Sequence, residues 1–396
     1  MSLLTPQRLV MLAFFLQPIA YGSWLPRIPE IQAGLGLGPA ALALTLLGMP
    51  VGTLLTLPFA GPIVGRIGAR RTIIIGFVYY AIAASLPAFS PDPVMLFIAL
   101  AFAGSSISFL ELGLNVEADA VEKATGTLIM TKSHGFWSVG IMAGSLVGTL
   151  LAGMGMAPQW AILAAALVTL PMGIATGLAL PSADAEVPVE RSAGGRKWSL
   201  PSPALIGVCL FVFGITMTEG AMADWSAIFL RDALAADVGT VGLGYAVFAF
   251  MVAAGRFGGD TIKARLGAVG TAQLCGVLAV LGAGLLYLAP NVTLALIGFG
   301  TIGFGVSVGF PLAVTAAAGI GDRPASANVA VLSFVALTGF LIGPPLIGFV
   351  AEVSDIRIGV ACVVPFLLLS LIFTRQLRPR PLTTAHNPQA DIPGVL

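Results

Sequence analysis

Charged positions are so sparse in this chain that the intervals between them form the pattern. Uninterrupted charge-free runs cover 9–26, 31–65, 72–91, 93–110, 198–218, 238–255, 324–351 and 358–374. A membrane-crossing helix needs about 20 mostly apolar residues, so each run predicts one span. Two longer runs, 133–183 and 266–321, are broken by Gly153-Met-Gly-Met-Ala-Pro158 and by Ala289-Pro-Asn291, each reading as a turn between two helices. Twelve spans result. At about 20 residues apiece, they leave connections averaging roughly a dozen residues and no room for a large soluble domain.

Composition agrees. Of 396 residues, 57% are hydrophobic and 9% charged, against about 25% charged in a soluble domain. The mean hydropathy is +0.99. A water-soluble fold is excluded, and an all-α integral membrane protein is expected. The net charge of +1 gives no general attraction to nucleic acid, so the placement of the basic residues carries the information. With a cytoplasmic N-terminus, sixteen of the 19 Lys and Arg residues fall on the cytoplasmic side, and Arg27, Arg231 and Arg357 outside. An even span number places both termini in the cytoplasm, and the expected location is the inner (plasma) membrane. The first span ends in Tyr21-Gly-Ser-Trp24 without a small-residue cleavage site, so it reads as a retained helix. Cys209, Cys275 and Cys362 lie in apolar runs without Cys-x-x-Cys spacing and predict neither disulfide nor metal site.

The one long hydrophilic interval, Pro181 to Pro203, follows six spans and precedes six more. It predicts a six-helix bundle over 1–180, a cytoplasmic linker over 181–202, a second bundle over 203–380 and a flexible tail over 381–396. Short internal repeats support the division. Gly-Ser-Trp24 returns as Ala-Asp-Trp225, Arg66-Ile-Gly-Ala as Arg265-Leu-Gly-Ala, and Gly140-x-x-x-Gly144 as Gly339-x-x-x-Gly343. The offsets, 201, 199 and 199, are near half the chain length, as expected of parallel repeats about an axis along the membrane normal. Glycines at this spacing let helix backbones approach. The stretch Gly339-Phe-Leu-Ile-Gly343-Pro344-Pro345 adds two prolines that bend the eleventh span, either as a static kink or where the halves rock against each other.

Gly61-Pro-Ile-Val-Gly65-Arg66-Ile-Gly68-Ala69-Arg70-Arg71 resembles the loop between spans 2 and 3 of the major facilitator superfamily, with Gly65 where the superfamily has Asp. The second-half counterpart, Gly255-Arg256-Phe-Gly-Gly259-Asp260 followed by Arg265-Leu-Gly267, keeps an acid. The resemblance implies the superfamily's fold of twelve helices in two pseudo-symmetric bundles. It also implies a conformational latch from Arg66, Arg70, Asp260 and Arg265, with Arg256 as another partner for Asp260, made when the transporter faces outward. As topology anchors, the first-half arginines need no such role. Leu110-Glu111-Leu-Gly-Leu-Asn115 and His134-Gly-Phe-Trp137-Ser-Val-Gly140 are similar to stretches of the fucose-permease-like sugar and proton symporters. Glu219-Gly-Ala-Met-Ala-Asp224-Trp225 is similar to the YbjJ-like inner-membrane branch. That likeness implies Glu111 as protonation and substrate group, Asn115 as a polar wall residue and His134 in the place of an amide. The first-span acid of those symporters is absent here.

Apart from any family, Glu111 and Glu219 border charge-free runs. An acid at the centre of a membrane helix costs about 2.5 to 3.5 kcal/mol, so such a group exchanges a proton, pairs across helices, or sits one turn nearer water. His134 is a further proton-coupling candidate, with a hydrogen-bonding role as the alternative. Glu117, Asp119 and Glu122, with Lys123 adjacent, have the spacing of a solvated helix end. Tyr21, Trp24, Trp137 and Trp225 offer rings with a polar edge for solute stacking or interface anchoring, and Asp224 joins them as a substrate-binding candidate. Arg27 and Arg231 occupy matching outer ends and offer attraction for an anionic solute, or snorkelling contacts.

The expected function is a secondary transporter of a small, sugar-like or other polar metabolite, coupled to protons, working by alternating access, with drug or metabolite efflux by antiport as the alternative. A functional monomer embedded in the lipid bilayer suffices for that. Gly-x-x-x-x-Gly-Lys-Ser/Thr is absent, which excludes an ATP-driven reading. There is no His-Glu-x-x-His and no metal cluster, only two histidines including His386 in the tail, so no enzyme and no cofactor are expected. A non-transporting membrane sensor stands as a third class.

Overall fold

The computed structural model describes residues 5–181 and 201–378. Most of the expected linker, with Arg191, Arg196 and Lys197, and the whole tail lie outside the described residues. Among the described residues, eleven helices are long and apolar enough to span a membrane, and one of them, Leu243–Leu288, turns a corner at Gly267. Divided there, the helices are α1 (Pro6–Gly34), α2 (Pro39–Ile67), α3 (Ala69–Phe89), α4 (Pro93–Thr125), α5 (Met130–Gly153), α6 (Pro158–Ala179), α7 (Pro203–Leu234), α8 (243–266), α9 (268–288), α10 (Val292–Ala318), α11 (Ala325–Val353) and α12 (Ile356–Leu377). The twelve expected spans are present.

Their ends differ from expectation. α4 has 33 residues and α7 has 32, so they extend well beyond the hydrocarbon, and the connections are mostly far shorter than a dozen residues. A helix satisfies its own backbone, and continuing it beyond the apolar run is favoured over an unpaired loop. The segments resembling superfamily loops are thus mostly helical, and each turns on one glycine. Gly68 has φ 84° and ψ 155°, and Gly267 has φ 68° and ψ 174°. Only glycine adopts this region at low cost. Asp92 and Asn291, also 199 positions apart, cap the next helices by accepting from the N–H groups of Met95 and Leu294 at 2.9 and 3.0 Å.

Glycines set the packing inside each half. A Cβ on Gly140 would meet the Phe15 carbonyl, and one on Gly144 would meet the Ile19 carbonyl and, at 3.0 Å, Gly22 Cα, so α5 lies on α1 backbone to backbone. Gly339 and Gly343 do the same for α11: a Cβ on either would come within 2.9 Å of the Phe213 carbonyl and 2.7 Å of the Met217 carbonyl of α7, respectively. The Gly339, Gly343 and Pro344 segment therefore packs inside the second half, and α11 runs on as one helix through both prolines. The expected rocking surface lies elsewhere. Gly348, further along α11, meets Ala43 and Pro39 of α2. Outward-facing apolar side chains such as Leu55, Phe59, Phe102, Leu167, Leu281 and Ile372 ring the exterior, a surface suited to lipid.

Candidate functional site

The two halves meet along α2 against α11 and α5 against α8. At the end opposite the linker, several polar contacts close the seam. Arg231 donates to the Pro29 carbonyl and to Gln32 Oε1, both at 2.7 Å. The Ala40 N–H donates to Glu352 at 3.1 Å, and Ser145 Oγ to the Gly242 carbonyl at 3.1 Å. Beneath this closure lies a cavity of about 280 Å³.

Each lining helix presents one face to it. α8 contributes Tyr245, Phe248, Ala249, Val252 and Arg256, positions recurring at three and four residues, as one stripe must. α7 contributes Glu219, Gly220, Ala223 and Asp224; α1 contributes Tyr21 and Trp24; α5 contributes Trp137, Ser138 and Ile141; α11 contributes Leu337 and Phe340. Glu219 lies about 24 Å along a helix of about 48 Å, at its midpoint. Arg256 lies about 20 Å from the start of α8.

Arg256 is the hub. One guanidinium nitrogen donates to Ser138 Oγ at 2.8 Å, across to the other half, and another lies 3.6 Å from Glu219. Its charge also acts on Glu111 and His134. It lines both this cavity and a second one of about 410 Å³ on the linker side, shared with His134, Asp260, Lys263 and Thr271. Asp224 faces the cavity and, among the described residues, receives no hydrogen bond or ion pair; its carboxylate acts on the phenols of Tyr21 and Tyr245. The Tyr21 N–H donates to Tyr80 Oη at 2.9 Å, which fixes α1 against α3 beside the cavity.

The sequence candidates thus separate. Glu219, Asp224, Tyr21 and Trp137 converge on the cavity. Glu111 continues the α4 stripe of Leu100 and Ile107 below the cavity without lining it. His134 packs edge-on against Phe14, 5.1 Å between ring centres, and faces the linker-side cavity. Asn115 lines neither cavity. Two candidates are relocated. Trp225 is 0% exposed, and its indole donates to the Pro344 carbonyl at 3.2 Å, bracing α11 from within the second half. Arg27 is 1% exposed, with Glu30 at 2.7 Å and the Met156 carbonyl at 2.5 Å, so it ties α1 to the turn after α5 and has no charge to offer a solute.

The expected latch is not made among the described residues. Arg66, Asp260 and Arg265 are exposed without an ion pair, Arg70 donates to the Gly177 and Leu178 carbonyls at the end of α6, and Arg256 is engaged at the cavity. The acids following Glu111 divide too. Asp119 pairs with Lys123 at 2.6 Å as a solvated pair should, and Glu122 accepts from the N–H groups of Ile129 and Met130 at the start of α5. Glu117, expected at the surface, is 0% exposed. It lies on the side of α4 that faces its own bundle. Tyr245, Phe248 and Ser138 were missed as site residues, although the α8 stripe carries the first two at helical spacing and Ser138 directly follows Trp137 on α5. Among the described residues no group of His, Cys, Asp and Glu side chains could hold a metal ion.

Residues 10–330 match the sequence profile of the Major Facilitator Superfamily. An uncharacterised MFS-type transporter of Yersinia pestis is 30% identical over 360 residues, covering 90% of this chain and 92% of that protein. Membrane protein MosC of Rhizobium meliloti is 28% identical over 86% of this chain and 82% of its own length. Among solved structures, a nucleoside transporter, NupG, superposes with a TM-score of 0.77 at 12% identity, covering 94% of this chain and all of that one. The E. coli fucose:proton symporter FucP superposes with a TM-score of 0.63 at 16% identity, covering 95% and 99%. At these identities the structural likeness establishes the fold.

Proposed function

This chain belongs to the major facilitator superfamily, and from that premise we propose that it moves one small solute by alternating access, coupled to protons through Glu219 and Arg256. The observation that carries the proposal is the Arg256 bridge: its guanidinium holds Glu219 of its own half and Ser138 of the other at the floor of a cavity closed on the far side. Protonating Glu219 removes the charge that holds Arg256, so occupancy by a proton changes a contact that crosses between the halves. A ligand or proton shifts a conformational equilibrium only through such a difference in contacts between states. Glu111 and His134, both within the reach of the Arg256 charge, provide the linker-side route for that proton. The distribution of basic residues supports a cytoplasmic linker side, and on that reading the state described is closed to the exterior and approached from within.

The test is reconstitution of the full chain into proteoliposomes with an imposed pH gradient and a panel of labelled metabolites. One solute accumulates in the unmodified protein. Glu219→Gln reduces gradient-driven accumulation about tenfold, within the range of a coupling free energy, while counterflow exchange persists. Glu111→Gln is expected to act in the same direction. Equal loss of accumulation and exchange, or loss of neither, refutes the coupling role.

A further inference from the structure

The charges lining the central cavity do not balance. They are Glu219, Asp224 and Arg256. Arg256 is already engaged with Glu219 and Ser138, which leaves Asp224 as the group with an uncompensated charge. Asp224 follows Glu219 by five residues, a rise of about 7.5 Å along α7, so it stands apart from the guanidinium and nearer the closed end. A carboxylate held between membrane helices requires a counter-charge or a proton.

The walls around it are aromatic: Tyr21, Trp24, Trp137, Tyr245, Phe248 and Phe340. Ring faces attract cations and accommodate apolar bodies. The cavity volume is near the lower limit for small-molecule sites, which fits a compact solute and excludes a lipid. An anionic solute would face Asp224 with Arg256, the one cation among the described lining residues, already paired, and a neutral one would leave Asp224 to be matched by a proton alone, whereas a cationic one supplies the counter-charge itself.

Resting on the transport function above, we propose that the solute carries one protonated amine on a compact, ring-bearing apolar body, and that Asp224 holds the amine. The rings enclose the remainder, and the Glu219–Arg256 pair is left for coupling.

Isothermal titration of the full chain in detergent tests this with three probes of one shape: phenethylamine, phenethyl alcohol and 3-phenylpropionate. The amine is expected to bind about tenfold more tightly than the alcohol, the scale of one charge-assisted hydrogen bond, and the acid not to bind. Asp224→Asn abolishes the preference for the amine and Asp224→Glu restores part of it, while Asp119→Asn, in an exposed pair with Lys123 and outside both cavities, preserves it. A melting curve in detergent shows whether each variant is folded. If Asp224→Asn does not fold, Asp224→Glu decides: an unchanged or inverted preference there overturns the proposal. It is overturned as well if amine and alcohol bind alike to the unmodified protein, if neither binds, if the acid binds best, or if folded Asp224→Asn retains the preference. Amine selectivity without counterflow would preserve this site and refute transport; counterflow of a neutral solute would do the reverse.

Discussion

The first six helices and the last six share a scaffold and divide the chemistry. In both, a Gly-x-x-x-Gly stripe lays the fifth helix on the first, a single glycine turns the corner between the second and third, and a short polar side chain caps the fourth. All three charged residues lining the central cavity nevertheless come from the second half. Carried back by the repeat offsets, Glu219, Asp224 and Arg256 fall on Pro18, Ser23 and Leu57, none of them charged. The first half contributes rings and the Ser138 hydroxyl. Repetition therefore preserved what packing requires and left the lining free to specialise. The one polar bond from Arg256 across the cavity floor joins the specialised half to the plainer one.

The largest expected effect tests the shared scaffold. Leucine at Gly144 would enter the α1 backbone at Ile19 and Gly22, and leucine at Gly343 would enter the α7 backbone at Met217. Overpacking costs about 1 to 3 kcal/mol where side chains can yield, and backbone yields less. Both variants should lose their monodisperse peak on size-exclusion chromatography. Gly284→Leu, with open space around its Cβ position, should retain it. If one half accepts leucine and the other does not, the glycine stripes are not equivalent.

A smaller effect separates the two tryptophans that the repeat aligns. Trp225→Phe keeps a ring but removes the bond to the Pro344 carbonyl, a net loss of about 1 kcal/mol, read as a lower melting temperature with ligand affinity unchanged. Trp24→Phe alters the cavity wall and should change affinity with little change in melting. Equal effects on both readouts would mean that the halves use this position alike.

The span count and the repeat were legible in the sequence because a bilayer imposes length and polarity limits that single residues cannot evade. Glu219 and Asp224 were legible for a related reason: acids beside long apolar runs have few roles. Arg256 was placed in a loop because it directly follows a charge-free run, and sequence alone did not reveal that α8 continues to position 266. Trp225 and Arg27 were misplaced because exposure depends on the opposing helix; a carbonyl acceptor at Pro344 or Met156 leaves no mark in local sequence. Glu117 looked solvated among Asp119, Glu122 and Lys123, yet successive helical positions face different directions, and its direction is inward.

The smallest expected effect concerns the acids ahead of α5 and α11, Glu122 and Asp322, one position off the 199-residue offset. Glu122 accepts directly from two backbone N–H groups of α5, so Glu122→Ala removes a cap and costs about 1 kcal/mol. Asp322 acts at one remove, accepting from the Asn328 side chain at 2.8 Å, so Asp322→Ala should cost less. Burial disfavours the Asp322 carboxylate, but hydrogen bonds from Ser202 and Asn328 and the adjacent Arg323 outweigh it and hold its carboxyl below the usual range. A depressed carboxyl contributes stability that is present above its unfolded value, about 3.9, and is lost as pH falls through the folded value. Melting temperature measured against pH should therefore show a small acid-side decline that Asp322→Asn removes. A decline of the same size in that variant would assign the acid sensitivity to other groups and leave the two loops distinguished only by the direct cap at Glu122.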